Sequence, residues 1–178
     1  MLRVTGVLET SETSCVVNID SYVPISFRSR SQPIAGARYI RLGDFNTQLL
    51  ELQFPPESLA LSGFTLVSGE GTAQGGLRGV GASAVGLPIV SLPRGEAFSN
   101  DGKISHLDIQ TEVVLTCTDG NAEVRLGSAK IFDRTLMHGR AQFLLSEDIL
   151  VGLRLLDLTE KERHILQNYV AEHPRRPI

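Results

Sequence analysis

Apolar and polar positions alternate along the chain from its first residues. Leu2, Val4 and Leu8 fall on one side of an opening segment and Arg3 and Thr5 on the other, the two-residue period of a half-buried strand. Cys15-Val16-Val17-Asn18-Ile19 forms a second segment. Val23, Ile25 and Phe27 then alternate with Tyr22, Pro24 and Ser26. Pro24 has no amide to give to a ladder, which places that strand at an edge or a bulge. Further strands are predicted over Ala37 to Leu42 and Thr47 to Phe54, the latter stopped by Pro55-Pro56. Glu57 to Leu61 reads equally as one helical turn or as the lead into a strand at Phe64 to Val67.

The pattern lapses between Ser68 and Gly86, where glycine and small residues dominate and Leu77 is the one large apolar side chain. So little apolar surface cannot offset the entropy of ordering the segment by itself. A linker between two modules or a long functional loop is expected there. The division that follows is an N-terminal β-module over 1–67, a Gly-rich linker or loop over 68–86, and a second unit over 87–178. One β-rich domain spanning 1–173 is the alternative.

Strand signals resume at Leu87 to Leu92, and Arg94 to Lys103 reads as a turn region. Thr111 to Thr118 and Asn121 to Leu126 flank Asp119-Gly120, a dipeptide suited to the positive-φ turn of a tight hairpin. Ala129 to Phe132, Ala141 to Leu145 and Val151 to Leu156 are three more strand candidates. The chain then turns helical. Thr159 and Glu162 have the spacing of a capping box, and Glu160 and Glu162 sit where the helix dipole favours negative charge. Ile165, Leu166, Tyr169 and Val170 share one face, and Pro174 ends the helix. That face needs a sheet to cover, and the strand just before it is the nearest. The fold class predicted is mainly β, barrel-like in one or two domains, with one C-terminal amphipathic helix.

Composition narrows the picture only in places. At 178 residues the chain is long enough to bury a core, and no stretch approaches the ~18 apolar residues of a membrane helix. The N-terminus lacks the apolar run of a signal peptide. With only Cys15 and Cys117 present, a disulfide framework is excluded and a reducing, cytoplasmic setting is expected. A formal charge of −3 gives no general reason to expect nucleic acid or an anionic membrane.

Few residues are arranged for chemistry. Gly79-Val80-Gly81-Ala82-Ser83-Ala84 fits a dinucleotide-binding pattern in letters, but no strand precedes it and Pro88 and Pro93 prevent a helix after it. His106 and Asp108 share one face of a strand, as a base or a metal ligand would, without a third ligand at a recognisable spacing. No serine lies in a nucleophile elbow. No cofactor is expected. One cluster stands out: Arg28, Arg30, Arg38 and Arg41 lie within fourteen residues, interleaved with Ser26, Ser29 and Ser31. If the two flanking strands pair, their guanidinium forks converge on one anion, the alternative being a solvated turn with charges pointing apart.

The end of the chain carries a family likeness. Val151-Gly152-Leu153-Arg154-Leu155-Leu156-Asp157-Leu158-Thr159-Glu160-Lys161-Glu162-Arg163, continuing to Ile165-Leu166-Gln167-Asn168-Tyr169-Val170, resembles the closing segment of PilZ domains. The resemblance covers some 20 residues and implies a six-stranded barrel with the helix at one mouth. Many members of that family bind cyclic dinucleotides, cyclic di-GMP above all, and signal to motility, exopolysaccharide or pilus machinery. The family's R-x-x-x-R and D/N-x-S-x-x-G ligand motifs are absent here, so no binding residue carries over. The resemblance points instead to members that act through protein contacts.

The expected function is therefore a non-catalytic bacterial adaptor or regulatory protein with a protein partner. A cyclic dinucleotide is an optional ligand, a homo-oligomer is compatible, and neither nucleic acid nor membrane is a partner. Two alternatives stand beside it. One is an anion- or nucleotide-binding β-protein that uses the Arg28–Arg41 region with the Gly-rich loop as a lid. The other is a structural part of a phage or secretion assembly.

Overall fold

The structure is a computed structural model and describes residues 1–10, 14–30, 34–72, 75–79, 81–100, 104–118 and 120–175. Over the first half the strands are β1 (Arg3–Leu8), β2 (Val16–Asn18), β3 (Ile25–Arg28), β4 (Arg38–Gly43), β5 (Leu49–Phe54), β6 (Gly63–Ser68), β7 (Glu70–Thr72) and β8 (Ala82–Val85). Then come β9 (Leu87–Ser91), β10 (Ser99–Asn100), β11 (Ser105–Gln110), β12 (Val113–Cys117), β13 (Ala122–Leu126), β14 (Arg134–His138), β15 (Ala141–Ser146) and β16 (Ile149–Leu155). The helix α1 (Glu160–Glu172) follows. The chain is thus mainly β with one C-terminal helix among the described residues.

These strands form two sheets. The larger runs β7-β12-β13-β16-β15-β14-β8, with β1 bridging β16 and β9; the smaller runs β10-β11-β4-β5-β6-β3-β2. Neither closes on itself among the described residues. Their inner faces meet in one core. Phe27 of β3 stacks on Phe64 of β6 at 5.1 Å and meets Phe143 of β15 edge-on at 6.2 Å. Alternation explains which side chains go in: Leu50, Leu52 and Phe54 of β5 are fully buried while Leu49, Glu51 and Gln53 look outward. Each such aliphatic or aromatic side chain contributes about 1.5–3 kcal/mol on burial.

Strands from both sides of the 68–86 segment share both sheets. β1 pairs with β9, and β11 runs parallel to β4 with Asp108 opposite Arg41. The segment itself carries β7 and β8 and is pinned by Leu77, which is 5 % exposed and packs with Phe132, Leu144 and Val151. Gly152 makes room for it, since a Cβ there would lie 2.6 Å from Leu77 Cδ1.

Several local expectations change for physical reasons. Leu8 is exposed although Leu2 and Val4 are buried; the β1–β9 register shifts between Val4 and Gly6, and beyond that shift Val7 and Leu8 are both exposed. Pro24 is buried immediately before Ile25, and β3 lies between β2 and β6; standing outside the ladder, the proline requires neither an edge nor a bulge. Ala129 to Phe132 is not a strand but carries an isolated bridge from Ile131 to Arg78. Thr111 to Leu126 forms the expected hairpin, with Asp119 of its turn outside the described residues.

The helix begins as its sequence dictates. Thr159 Oγ1 accepts from the Glu162 amide and the Glu162 carboxylate accepts from the Thr159 amide. It packs on β7 and β12 rather than on β16, the strand just before it. Leu166 and Tyr169 are the buried residues, and the Gly69 amide donates to Tyr169 Oη at 3.1 Å. Contact is close because Gly71 has no side chain: a Cβ there would sit 2.7 Å from Val170 Cα. No helix among the described residues is long and apolar enough to cross a membrane.

Candidate functional site

The four arginines singled out by their spacing are spread apart. β5 and β6 separate β3 from β4, so the segments flanking the cluster do not pair. Arg28 lies over Gly63, where a Cβ would meet its Cγ at 3.5 Å. Arg30 is exposed near Glu9, Thr10 and His138. Arg38 donates from Nη2 to the Ser58 carbonyl at 3.1 Å and lies 4.8 Å over the Phe98 ring. Arg41 forms a two-pronged pair with Asp108, at 2.6 and 2.7 Å. That Arg41 contact lowers the Asp108 carboxyl from its ordinary value. His106 and Asp108 do share the outer face of β11, with Ser99 Oγ 3.4 Å from His106 Nε2. Ser31 and Pro33 are outside the described residues.

A different set of cations converges elsewhere. A cleft of about 550 Å³ is lined by Thr72, Gly75, Gly76 and Arg78 of the Gly-rich segment, and by Glu112, Arg125, Ser128, Ala129, Lys130, Ile131 and Arg175. The fold assembles it from four stretches of chain. Arg125 projects from β13 and is 9 % exposed; its Nη2 meets Glu112 Oε2 at 3.2 Å and its Nη1 donates to the Gly127 carbonyl. Arg175 comes from beyond the helix. The Gly71 amide donates to the His173 carbonyl at 2.7 Å, and the Arg175 amide to the Gly71 carbonyl at 2.8 Å. This tail adds to the edge of β7 and brings the Arg175 guanidinium to Glu112 Oε1.

Arg78 and Lys130 are set side by side by main-chain bonds. The Arg78 amide donates to the Lys130 carbonyl and the Phe132 amide to the Arg78 carbonyl, both at 3.0 Å. Both side chains are exposed. Among the described residues, neither cationic head has an ion pair or hydrogen bond.

Four cations and one carboxylate leave the cleft with an excess of three positive charges, in a chain whose formal net charge is −3. A local excess against the overall sign is an electrostatic trap for anions. Arg125 and Arg175 are partly neutralised by Glu112, whereas Arg78 and Lys130 are not. Ile131, 65 % exposed, gives the cleft an apolar flank. The floor is rigid. Below it Glu123, 5 % exposed, accepts from the Leu77 amide at 2.5 Å and from Arg154 Nη2 at 2.6 Å. Arg154 also lies 5.3 Å over the Phe132 ring. This buried pair fixes the 75–79 segment to β13 and β16.

Arg78 and Lys130 stand far apart in sequence, and neither belongs to a basic run. Only the bridge between Arg78 and Ile131 brings them together. The sequence signal that bore on the site was Leu77, the anchor that makes its segment a wall of the cleft. Comparison with models of known protein families finds no match, and comparison with curated protein sequences finds none either.

Proposed function

We propose that the protein is a non-catalytic regulatory binding protein that holds a phosphate-bearing ligand in the Arg78–Lys130 cleft and passes its occupancy to a protein partner. The observation that carries this reading is the adjacency of two uncompensated cations, backed by Arg125 and Arg175, at a cleft walled by a Gly-rich segment. Arginine offers a planar fork to phosphate oxygens and lysine a compact charge beside it. Ile131 offers apolar surface to the rest of such a ligand.

The likeness of Val151 to Val170 to the PilZ closing segment supports placing the protein with regulatory proteins of that kind, acting in the bacterial cytoplasm. Cyclic di-GMP is then the first nucleotide to try, held by residues other than the family's usual motifs.

Titration calorimetry of the full chain with inorganic pyrophosphate, then with cyclic di-GMP, tests the proposal. Binding should weaken as salt rises, because the contacts are charge pairs near the surface. Joint Arg78→Ala and Lys130→Ala replacement should abolish binding and leave the melting temperature unchanged. No heat with either compound at low salt sinks the proposal.

A further inference from the structure

Sheet edges expose unpaired amides and carbonyls that other strands can join, and proteins usually cover them, shorten them or charge them. Most edges here are treated in that way. The edge of β7 is taken by the tail after α1, through the paired bonds of Gly71 with His173 and Arg175. Leu59 to Leu61 cover β9, with the Leu61 amide on the Pro88 carbonyl and the Val90 amide on the Leu59 carbonyl, both at 2.9 Å. β2 and β10 are three and two residues long. β8 is the exception. It ends the larger sheet, all four of its residues are exposed, and no strand among the described residues adds to its outer edge. Ala82-Ser83-Ala84-Val85 contains no charge and no proline.

The strand is held firmly on its inner side. It runs parallel to β14, and a Cβ on Gly81, just before it, would lie 2.0 Å from the Asp133 carbonyl oxygen. The Gly86 amide donates inward to the Met137 carbonyl. Successive residues of a strand point their amides to opposite edges, so Ala84 also faces β14, while Ser83 and Val85 face outward. Beside this edge lies exposed apolar surface: Val85 is 57 % exposed, Leu8 40 % and Val7 37 %, with Val7 Cγ1 2.5 Å from where a Gly86 Cβ would be.

We infer that β8 of one copy adds antiparallel to β8 of a second copy, making a symmetric dimer. The segment is self-complementary. With the two-fold axis at Ala84, Ser83 of each copy faces Val85 of the other, and their outward groups form reciprocal main-chain bonds. Ala84 then meets its own copy across the axis, where an uncharged side chain avoids the repulsion that like charges directly opposite would bring. A foreign peptide would need side-chain pockets flanking the edge to be selected. β8 is bare on both faces, which favours recognition of the main chain by an identical strand.

Sedimentation velocity of the full chain over a range of concentrations is the test. The parent should show a concentration-dependent dimer. Ala84→Lys and Ala84→Glu should each raise the dimer dissociation constant by about tenfold or more, since like charges then oppose across the axis. An equimolar mixture of the two variants should restore the dimer. Ser83→Pro, which removes an outward amide only, should weaken dimerisation as well. A parent that stays monomeric at every concentration overturns the inference and leaves the edge to a strand of another protein. A dimer undiminished in both charged variants overturns it too.

Discussion

Replacing Glu162 with Gln removes one charge from the junction between the last strand and the helix and leaves side-chain volume nearly unchanged. Arg140, in the β14–β15 turn, reaches that junction with its whole guanidinium. It donates to the Leu156 carbonyl at 3.1 Å, to the Asp157 carbonyl at 2.9 Å, and to the two Glu162 oxygens at 3.0 and 2.8 Å. Glu162 Oε2 also accepts from the Thr159 amide at 2.8 Å and the Thr159 hydroxyl at 3.0 Å. The Arg140 contact, joined by these Thr159 bonds and opposed by burial, lowers the Glu162 carboxyl from 4.5 to about 2. A carboxyl held that low in the folded state, and at its ordinary value in the unfolded chain, stabilises the fold by at most about 3 kcal/mol at neutral pH.

The pair is partly open to water, with side chains 30 % and 18 % exposed, which reduces the expected loss to about 2 kcal/mol. The folded value lies below the unfolded one. The contribution is therefore complete above pH 4.5 and disappears as pH falls towards 2. Urea unfolding of the parent and of Glu162→Gln, followed by circular dichroism at pH 7 and at pH 3, measures it. The difference should be about 2 kcal/mol at pH 7 and less than half of that at pH 3. A difference below about 0.5 kcal/mol at pH 7, or an equal difference at both pH values, refutes the reasoning.

Four further outcomes follow from the packing. Glu123→Gln leaves Arg154 without its counter-charge in a mostly buried site and should cost about 3 kcal/mol in denaturant unfolding. Leu166→Ala should cost about 2–5 kcal/mol, because the leucine is wholly buried. Tyr169→Phe removes only the bond from the Gly69 amide and should cost about 1–2 kcal/mol. Gln48→Leu should cost about 1–3 kcal/mol, since Gln48 Oε1 is the acceptor for the buried Val113 amide at 2.8 Å; thermal unfolding reads it directly.

Much of the secondary structure was legible because the two-residue period and the capping box are local. Ile25 and Phe27, Leu50 to Phe54, the β12–β13 hairpin and Thr159 with Glu162 follow from side-chain alternation and amide satisfaction alone. β14 was not legible: the residues just before Arg134, Ala129 to Asp133, carry no tight-turn signal. β7 and β8 were hidden for a different reason. Their small residues bury little, and main-chain pairing to β12 and β14 orders them instead.

The site was less legible still. Arg28 to Arg41 looked like a cluster because the sequence is one-dimensional, whereas β5 and β6 fill the space between their strands. Arg78, Lys130 and Arg175 meet only through a long-range bridge and through the tail's bonds to β7. No spacing rule encodes those contacts. Leu77 was visible as the lone large apolar side chain of its segment, and it proves to be the residue that anchors the cleft wall.

A two-dimensional amide NMR titration of the full chain with pyrophosphate tests the central claim most directly. Shifts should concentrate at Gly75 to Arg78, Ser128 to Ile131 and Arg175, and leave the outer face of β4 and β11 unchanged. Shifts confined to Arg30, Arg38 and Arg41, or none at all, contradict the basic cleft as the binding site.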